Sequence, residues 1–289
     1  MNSSKDIYYL TLTCGNQPGI VAAVAACLFK LGGDIREAQQ FDDLSTTRFF
    51  MRVEFDLPAG SADQAAIRRA FVPVANQFQM TWELRDKSQT RRVIILVSKH
   101  DHCLSDLLYR RRSGELRMDI AGVVSNHPRA SLNLDLLGDI PWHSLPVTTI
   151  TKPEQEARIK TIVDEAGADL VILARYMQIL SADLSAFLAG RCINIHHSFL
   201  PGFKGAKPYH QAFDRGVKVI GATAHFVTTD LDEGPIIVQE TEPVTHADAP
   251  EDLVRKGRDI ERRVLARAVH YYLEDRVLVN GLKTVVFRD

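Results

Sequence analysis

The chain has few of the features that mark secreted, metal-ribbon or membrane proteins. Its four cysteines lie far apart, at positions 14, 27, 103 and 192, and none forms a CxxC pair. This spacing argues against a disulfide framework and fits a reducing compartment. No apolar run reaches the roughly 20 residues that a membrane-spanning helix needs, and the N-terminus lacks the basic and apolar regions of a signal peptide. We therefore expect a cytoplasmic protein with no membrane partner.

An excess of positive charge is also missing. The chain has 35 Lys and Arg residues against 36 Asp and Glu residues, which gives a net charge of -1. Proteins that bind nucleic acid need surplus cations to displace the counterions of the phosphates. The dense basic run at 110–112 is typical of a solvated helix face. We expect no nucleic-acid partner.

The first 86 residues alternate between strand-like and helix-like segments in the order βαββαβ. Strands are predicted at 7–13, 34–41, 47–55 and 80–84, and helices at 20–31 and 62–77. This order is typical of a ferredoxin-like domain. The polar stretch at 85–92 is a candidate linker to the second domain, which we place at 87–289.

The second domain has the pattern of a doubly wound, mostly parallel α/β sheet. The continuous apolar run at 93–97 is typical of a strand that is buried on both faces. Helical segments at 104–112, 154–166 and 182–188 then alternate with strand-like segments at 119–125 and 170–174. The predicted fold class is therefore α/β in both domains.

One strand of this domain carries two polar side chains on the same face. Side chains alternate across a strand, so Asn194 and His196 share one face of residues 192–196. Open α/β sheets bind ligands beyond the carboxyl ends of their strands. An amide donor and an imidazole in this position can together hold a developing oxyanion. On their own, the two residues are equally compatible with a structural hydrogen-bonded pair.

Three sequence elements together resemble the formyltransferase family that uses 10-formyltetrahydrofolate. They are Asn-x-His followed by Ser-x-Leu-Pro at 194–201, a strand-like run at 223–227, and Leu-Asp-x-Gly-Pro at 231–235. The resemblance implies that Asn194 hydrogen-bonds the formyl oxygen and that His196 stabilises the same charge. It also implies that Asp232 orients the nucleophile and transfers protons, and that His225 helps to position the Asp232 loop. Such a reaction needs no metal and no cofactor.

The resemblance also implies a pocket for the reduced folate substrate. In the family, a strand-to-helix turn presents backbone groups to the pterin ring, and this turn corresponds to residues 173–180 here. Tyr176, Ile179 and Leu180 would form an apolar wall, with Val227 opposite. Gln178 stands where the transferases commonly have Arg. Ser181 is the predicted N-cap of the following helix.

The turn at 97–104 bears on the acceptor of the formyl group. The transferases hold the phosphate of an amine acceptor with a glycine-rich loop at a helix N-terminus, whereas this turn, VSKHDHCL, contains no glycine. Together with the motifs at 196–201 and 205–210, it resembles the deformylase branch of the family. In that branch water is the acceptor, and formate and tetrahydrofolate are the products. A transformylase that uses another amine is the alternative. Zinc binding by the histidines and cysteine of the turn is disfavoured, because neighbouring residues in a tight loop rarely converge on one ion.

The N-terminal domain resembles an ACT domain. The resemblance lies in Pro-Gly-Ile-Val at 18–21 and in a helix that closes on Gly-Asp-Ile at 33–35. Such domains often bind amino acids where two copies meet, which implies an effector site at Asn16, Gln17 and Gly19 and a homo-oligomer. A role in assembly alone is the alternative for this domain, and a non-catalytic amino-acid sensor is the alternative for the whole chain.

Overall fold

The structure is a computed structural model that describes residues 5–132, 135–202 and 208–289. It consists of two compact units. The first contains the chain up to Thr90 together with Glu274–Leu278 and Val285–Asp289, and the second contains Arg91–Leu273 and Val279–Thr284.

The first unit is a four-stranded antiparallel sheet with two helices. Its elements are β1 (Lys5–Gly15), α1 (Ile20–Lys30), β2 (Asp34–Asp43), β3 (Arg48–Pro58), α2 (Gln64–Gln77) and β4 (Thr81–Asp86). The strand order is β2-β3-β1-β4. Alternate side chains of the strands, such as Leu10 and Phe55, pack with Phe71 of α2 in one apolar core. The predicted βαββαβ order is confirmed.

The C-terminal residues are divided between the two units. The sequence-based prediction instead assigns all residues after 86 to the second domain. The structure places two short C-terminal segments in the first unit. Arg276 pairs with Glu37 at 3.2 Å, and Asp275 pairs with Arg85 at 2.6 Å. Arg52, which is fully buried, donates from Nε to the carbonyl oxygen of Glu274. These partners lie far apart in the sequence, so no local pattern marks them.

The second unit is built on a seven-stranded sheet. Its strands are β5 (Arg91–Val97), β6 (Met118–Ser125), β7 (Trp142–Ser144), β8 (Leu170–Leu173), β9 (Cys192–His196), β10 (Val219–Phe226) and β11 (Ile236–Pro243). Its helices are α3 (His102–Ser113), α4 (Lys152–Glu165), α5 (Ala182–Phe187), α6 (Pro208–Asp214) and α7 (Pro250–Leu273). Two short 3-10 helices, Arg129–Ser131 and Asp135–Leu137, precede β7, and a hairpin of β12 (Val277–Asn280) and β13 (Lys283–Val286) follows α7.

In the sheet order β11-β10-β9-β8-β5-β6-β7, the first strand of the unit, β5, lies inside the sheet between β8 and β6. Strands β5 to β9 run parallel, while β10 and β11 are antiparallel to their neighbours, so the predicted mostly parallel sheet is confirmed. The chain leaves β5 toward β6 on one side and returns to β8 on the other. Ligand sites of open α/β sheets form at such a reversal. Among the described residues, no helix combines the length and the apolar character that a membrane crossing requires.

Candidate active site

A cavity of about 340 Å³ lies at the carboxyl ends of β8 and β9. All nine residues predicted for catalysis or folate binding line it. They are Tyr176, Gln178, Ile179, Leu180, Asn194, His196, His225, Val227 and Asp232. The cavity thus brings together the turn after β8, the end of β9 and the loop after β10.

The pairing of β9 with β10 places Asn194 beside His225. The two residues are opposite each other in the antiparallel register, and Asn194 Nδ2 is 3.2 Å from His225 Nε2. His225 Nδ1 is 2.8 Å from the carbonyl oxygen of Phe226. A neutral His225 satisfies both contacts, because Nδ1–H donates to the carbonyl and Nε2 accepts from the amide. The second hydrogen of Asn194 Nδ2 is left for another acceptor.

Burial is the main reason that the pKa of His225 lies below its ordinary value of 6.5. The ring of His196 lowers the pKa of His225 further, while the Phe226 carbonyl and the Asp232 carboxylate oppose the shift. The neutral form of His225 is therefore favoured near neutral pH, in agreement with its two hydrogen bonds.

The carboxylate of Asp232 lies between the two histidines of the cavity. Its Oδ1 atom is 3.2 Å from His196 Nδ1 and 3.8 Å from His225 Nε2. Burial raises the pKa of Asp232, but the hydrogen bond from His196 and the electrostatic attraction of its ring outweigh burial, so the pKa lies below the ordinary value of 3.8. His196 Nε2 is buried and has no hydrogen-bond partner within the described residues. The ring of His196 is thus oriented by Asp232 through one nitrogen, which leaves the other nitrogen for a reacting group.

The backbone around Asp232 explains the Leu-Asp-x-Gly-Pro pattern. Asp232 has a φ of 58°, a left-handed conformation that Asp tolerates better than most residues. Gly234 lies against the adjacent strand, where an added Cβ would be 1.7 Å from the carbonyl oxygen of Phe226. The Phe226 amide donates to the Pro235 carbonyl at 2.9 Å, which holds the loop in place. Only glycine permits this close approach.

The turn after β8 is held by hydrogen bonds from its surroundings. The Met177 amide donates to Ser98 Oγ, and the Ser181 amide donates to Glu156 Oε1, both at 2.9 Å. The hydroxyl of Tyr176 accepts from Gln155 Nε2 at 2.7 Å inside the protein. Ile179 is 61% exposed, which leaves an apolar side chain at the cavity for a ligand to cover. The predicted N-cap is confirmed, because Ser181 Oγ accepts from the amide of Leu184.

Two further residues that line the cavity had no assigned role in the sequence. The ring of His197 stacks on that of His196, with a centroid distance of 5.0 Å and an interplanar angle of 16°. Arg175 follows β8 with a φ of 63°, which is unusual for a long side chain. A sequence pattern could not have identified these features. The stacking of His197 depends on ring orientation, and the position of Arg175 depends on backbone conformation.

The histidines and cysteine of the turn at 97–104 lie outside the catalytic cavity. Ligand atoms of His102, Cys103 and Glu261 all lie within 4.8 Å of one another. Both carboxylate oxygens of Glu261 are already engaged, one by His102 Nε2 at 2.7 Å and the other by the Tyr209 hydroxyl at 2.6 Å. We therefore assign no metal to this cluster. Of the motif at 205–210, residues 205–207 lie outside the described part of the chain.

The predicted effector residues belong to the first unit. Asn16, Gln17 and Gly19 form an exposed loop between β1 and α1. Asn16 Nδ2 donates to Asp42 Oδ2 at 2.6 Å, and Gly19 is the N-cap of α1 with a φ of 93°. The loop is therefore accessible to a ligand or to a second protein chain.

Comparison with known proteins agrees with this geometry. A sequence model of the formyl transferase family matches residues 91–269. A formyltetrahydrofolate deformylase from a Corynebacterium species is 48% identical over 281 residues, which are 97% of this chain and 98% of the relative. The crystal structure of a formyltetrahydrofolate deformylase from Burkholderia mallei matches with a TM-score of 0.91 and 51% identity, over 98% of this chain and 100% of that chain.

A transferase gives a more limited match. The structure of glycinamide ribonucleotide transformylase 1 from Symbiobacterium toebii has a TM-score of 0.64 and 31% identity, over 71% of this chain and 98% of that one. The transformylase therefore lacks a counterpart for more than a quarter of the present chain, whereas the deformylases match it almost from end to end. The chain belongs to the formyltetrahydrofolate deformylase family.

Proposed function

We propose that the protein hydrolyses 10-formyltetrahydrofolate to formate and tetrahydrofolate. The observation that carries the proposal is the convergence of Asn194, His196 and Asp232 in one cavity. The exposed Ile179 and the neighbouring Leu180 and Val227 offer an apolar surface to the pterin ring in the same cavity. Formate released in this way would enter one-carbon metabolism and purine biosynthesis.

The three polar groups account for both halves of the reaction. The oxygen of water attacks the formyl carbon, and the carbonyl oxygen becomes an alkoxide, which Asn194 Nδ2 and His196 Nε2 stabilise. Asp232 accepts a proton from the water, since its lowered pKa keeps it ionised. The bond from the formyl carbon to N10 then breaks, and N10 takes the proton that Asp232 accepted. Formic acid leaves as formate and a proton, together with tetrahydrofolate. No step in this sequence uses a metal or an organic cofactor.

Formate release without an amine acceptor tests this proposal. The purified protein is incubated with 10-formyltetrahydrofolate alone, and formate and tetrahydrofolate are measured. We expect both in equal amounts. A protein that releases formate only when an amine is added, or never, contradicts the proposal. The comparisons favour neither a transformylase nor a non-catalytic sensor.

We also propose that the first unit regulates this activity as a homo-oligomerisation domain in the cytoplasm. An exposed loop with Asn16, Gln17 and a helix N-terminus at Gly19 supports an amino-acid effector site. Glycine and methionine are the first candidates, because both are linked to one-carbon metabolism. An effector changes activity only if it binds two arrangements of the protein with different affinities.

A further inference from the structure

Three polar side chains lie between the catalytic cavity and a second, larger cavity. The second cavity has a volume of about 570 Å³. Arg175 lines the catalytic cavity and His102 lines the second. Glu261 of α7 lies between them, with Oε2 at 2.7 Å from His102 Nε2 and at 3.4 Å from Arg175 Nε. We call these three residues the partition.

The partition is buried and held in one arrangement. The side chain of Glu261 is 1% exposed, that of Arg175 is 11% exposed and that of His102 is 14% exposed. The hydroxyl of Tyr209 donates to the remaining oxygen of Glu261 at 2.6 Å. Burial raises the pKa of Glu261, but the hydrogen bond from His102 and the charge of Arg175 bring it below the ordinary value of 4.5. The buried carboxylate of Glu261 is thus stabilised by its contacts with His102, Arg175 and Tyr209, because a buried charge needs partners.

The backbone of Arg175 is strained, and two nitrogens of its side chain have no hydrogen-bond partner among the described residues. Its φ of 63° lies in the left-handed region, where glycine would have no penalty. Its Nε and Nη1 atoms are buried without a hydrogen-bond partner in the part of the chain that the structure describes. The contact with Glu261 at 3.4 Å is therefore an ion pair with poor geometry. A long, charged side chain at a position that carries this cost points to a use for its bulk and charge there.

Arg175 lines the same cavity as the catalytic residues Asn194 and His196. Leu173 of β8 pairs with Asn194 of β9 in the parallel ladder. Arg175 follows the end of β8 and His196 is the last residue of β9, so both lie at the carboxyl ends of adjacent parallel strands. An acceptor larger than water that approached from the second cavity would have to pass through the volume that the partition fills.

We propose that Arg175, held by Glu261 and His102, restricts the acceptor of the formyl group to water. This inference rests on the proposed function. With an amine acceptor, the amine nitrogen would form a bond to the formyl carbon, the bond to N10 would break, and the proton would pass from the amine to N10. The product would be a formylated amine in place of formate. The partition is therefore a specificity-determining element of the hydrolase.

The test is competition between water and a small primary amine. Arg175→Gly removes the side chain and relieves the positive φ, and the probe is glycinamide added to the assay with 10-formyltetrahydrofolate. We expect the ratio of formylglycinamide to formate to rise on the order of tenfold or more above that of the wild type. Arg175→Lys keeps most of the bulk and the charge, so this matched control should keep the wild-type ratio. Product formed without enzyme is subtracted.

A second variant opens the partition from its other end. His102→Ala should raise the same ratio of formylglycinamide to formate. If circular dichroism shows that Arg175→Gly does not fold, the ratio of His102→Ala is the test of the inference. Folded variants that form no more formylglycinamide than the wild type overturn the inference, whether or not they still release formate. Formate release by the wild type is measured in the same assay, so an inactive wild type contradicts the proposed function instead.

Discussion

At the scale of single residues, the position of Asp232 links backbone strain to acid–base chemistry. Its carboxylate is 14% exposed and lies beside two imidazoles. We predict that Asp232→Asn lowers kcat roughly 10²-fold or more, because an amide cannot accept the proton of the attacking water. The measurement is steady-state formate release, with circular dichroism as the control for folding. Near-normal turnover in the folded variant would remove Asp232 from the mechanism.

Asn194 is expected to act on the transition state alone. Its amide is held by His225 through one hydrogen, which fixes the direction of the other. Asn194→Ala should cost about 3 kcal/mol of transition-state stabilisation, as is usual for the loss of one oxyanion donor. This loss should lower kcat and kcat/KM together. A raised KM with an unchanged kcat would instead make Asn194 a ground-state binding residue.

His225 makes the stability of the protein depend on pH. Its pKa in the folded protein lies below 6.5, chiefly because of burial. The unfolded chain therefore binds a proton more readily, and stability is lost as the pH falls from about 6.5 through the lower folded pKa. We predict that the melting temperature of the wild type falls between about pH 7 and about pH 5.5 more than that of His225→Gln. Equal decreases in the two proteins would show that His225 is not the responsible group.

At the scale of elements, the loop between β10 and β11 depends on one glycine. A Cβ at Gly234 would meet backbone of the adjacent strand, which cannot move away as a flexible side chain can. Gly234→Ala should therefore displace Asp232 and lower kcat roughly 10²-fold, the usual cost of a misplaced catalytic group. Gly15→Ala is the matched control, because a Cβ there meets nothing within 4 Å. Similar activities of the two variants would mean that the loop adapts.

At the scale of the whole molecule, the first unit raises the question of regulation. The proposed effector loop is exposed, and Gly19 has a φ of 93°, at which the backbone of a larger residue would be strained. Asn16→Ala and Gln17→Ala are therefore cleaner tests than substitutions of Gly19. We predict that glycine or methionine changes the rate of formate release by the wild type and that these variants weaken the effect. Calorimetric titration measures the binding itself. If the wild type binds neither amino acid and its rate of formate release does not change, the first unit serves only in assembly.

The sequence by itself determined the elements and most of the candidate site. The apolar run at 93–97 became part of the interior strand β5, and the polar alternation at 192–196 became β9. The predicted residues of four separate sequence segments line one cavity. Such features are local, because strand alternation, buried runs and glycine-containing loops leave their pattern in adjacent residues.

The tertiary structure alone decided which distant residues meet. The partition joins Arg175 after β8, Glu261 in α7 and His102 at the start of α3, and no spacing in the sequence connects them. The same is true of Arg276 and Glu37, which bring a C-terminal segment into the first unit. Contacts of this kind depend on strand order and on the path of the chain between elements, and these follow from the packing of the whole core.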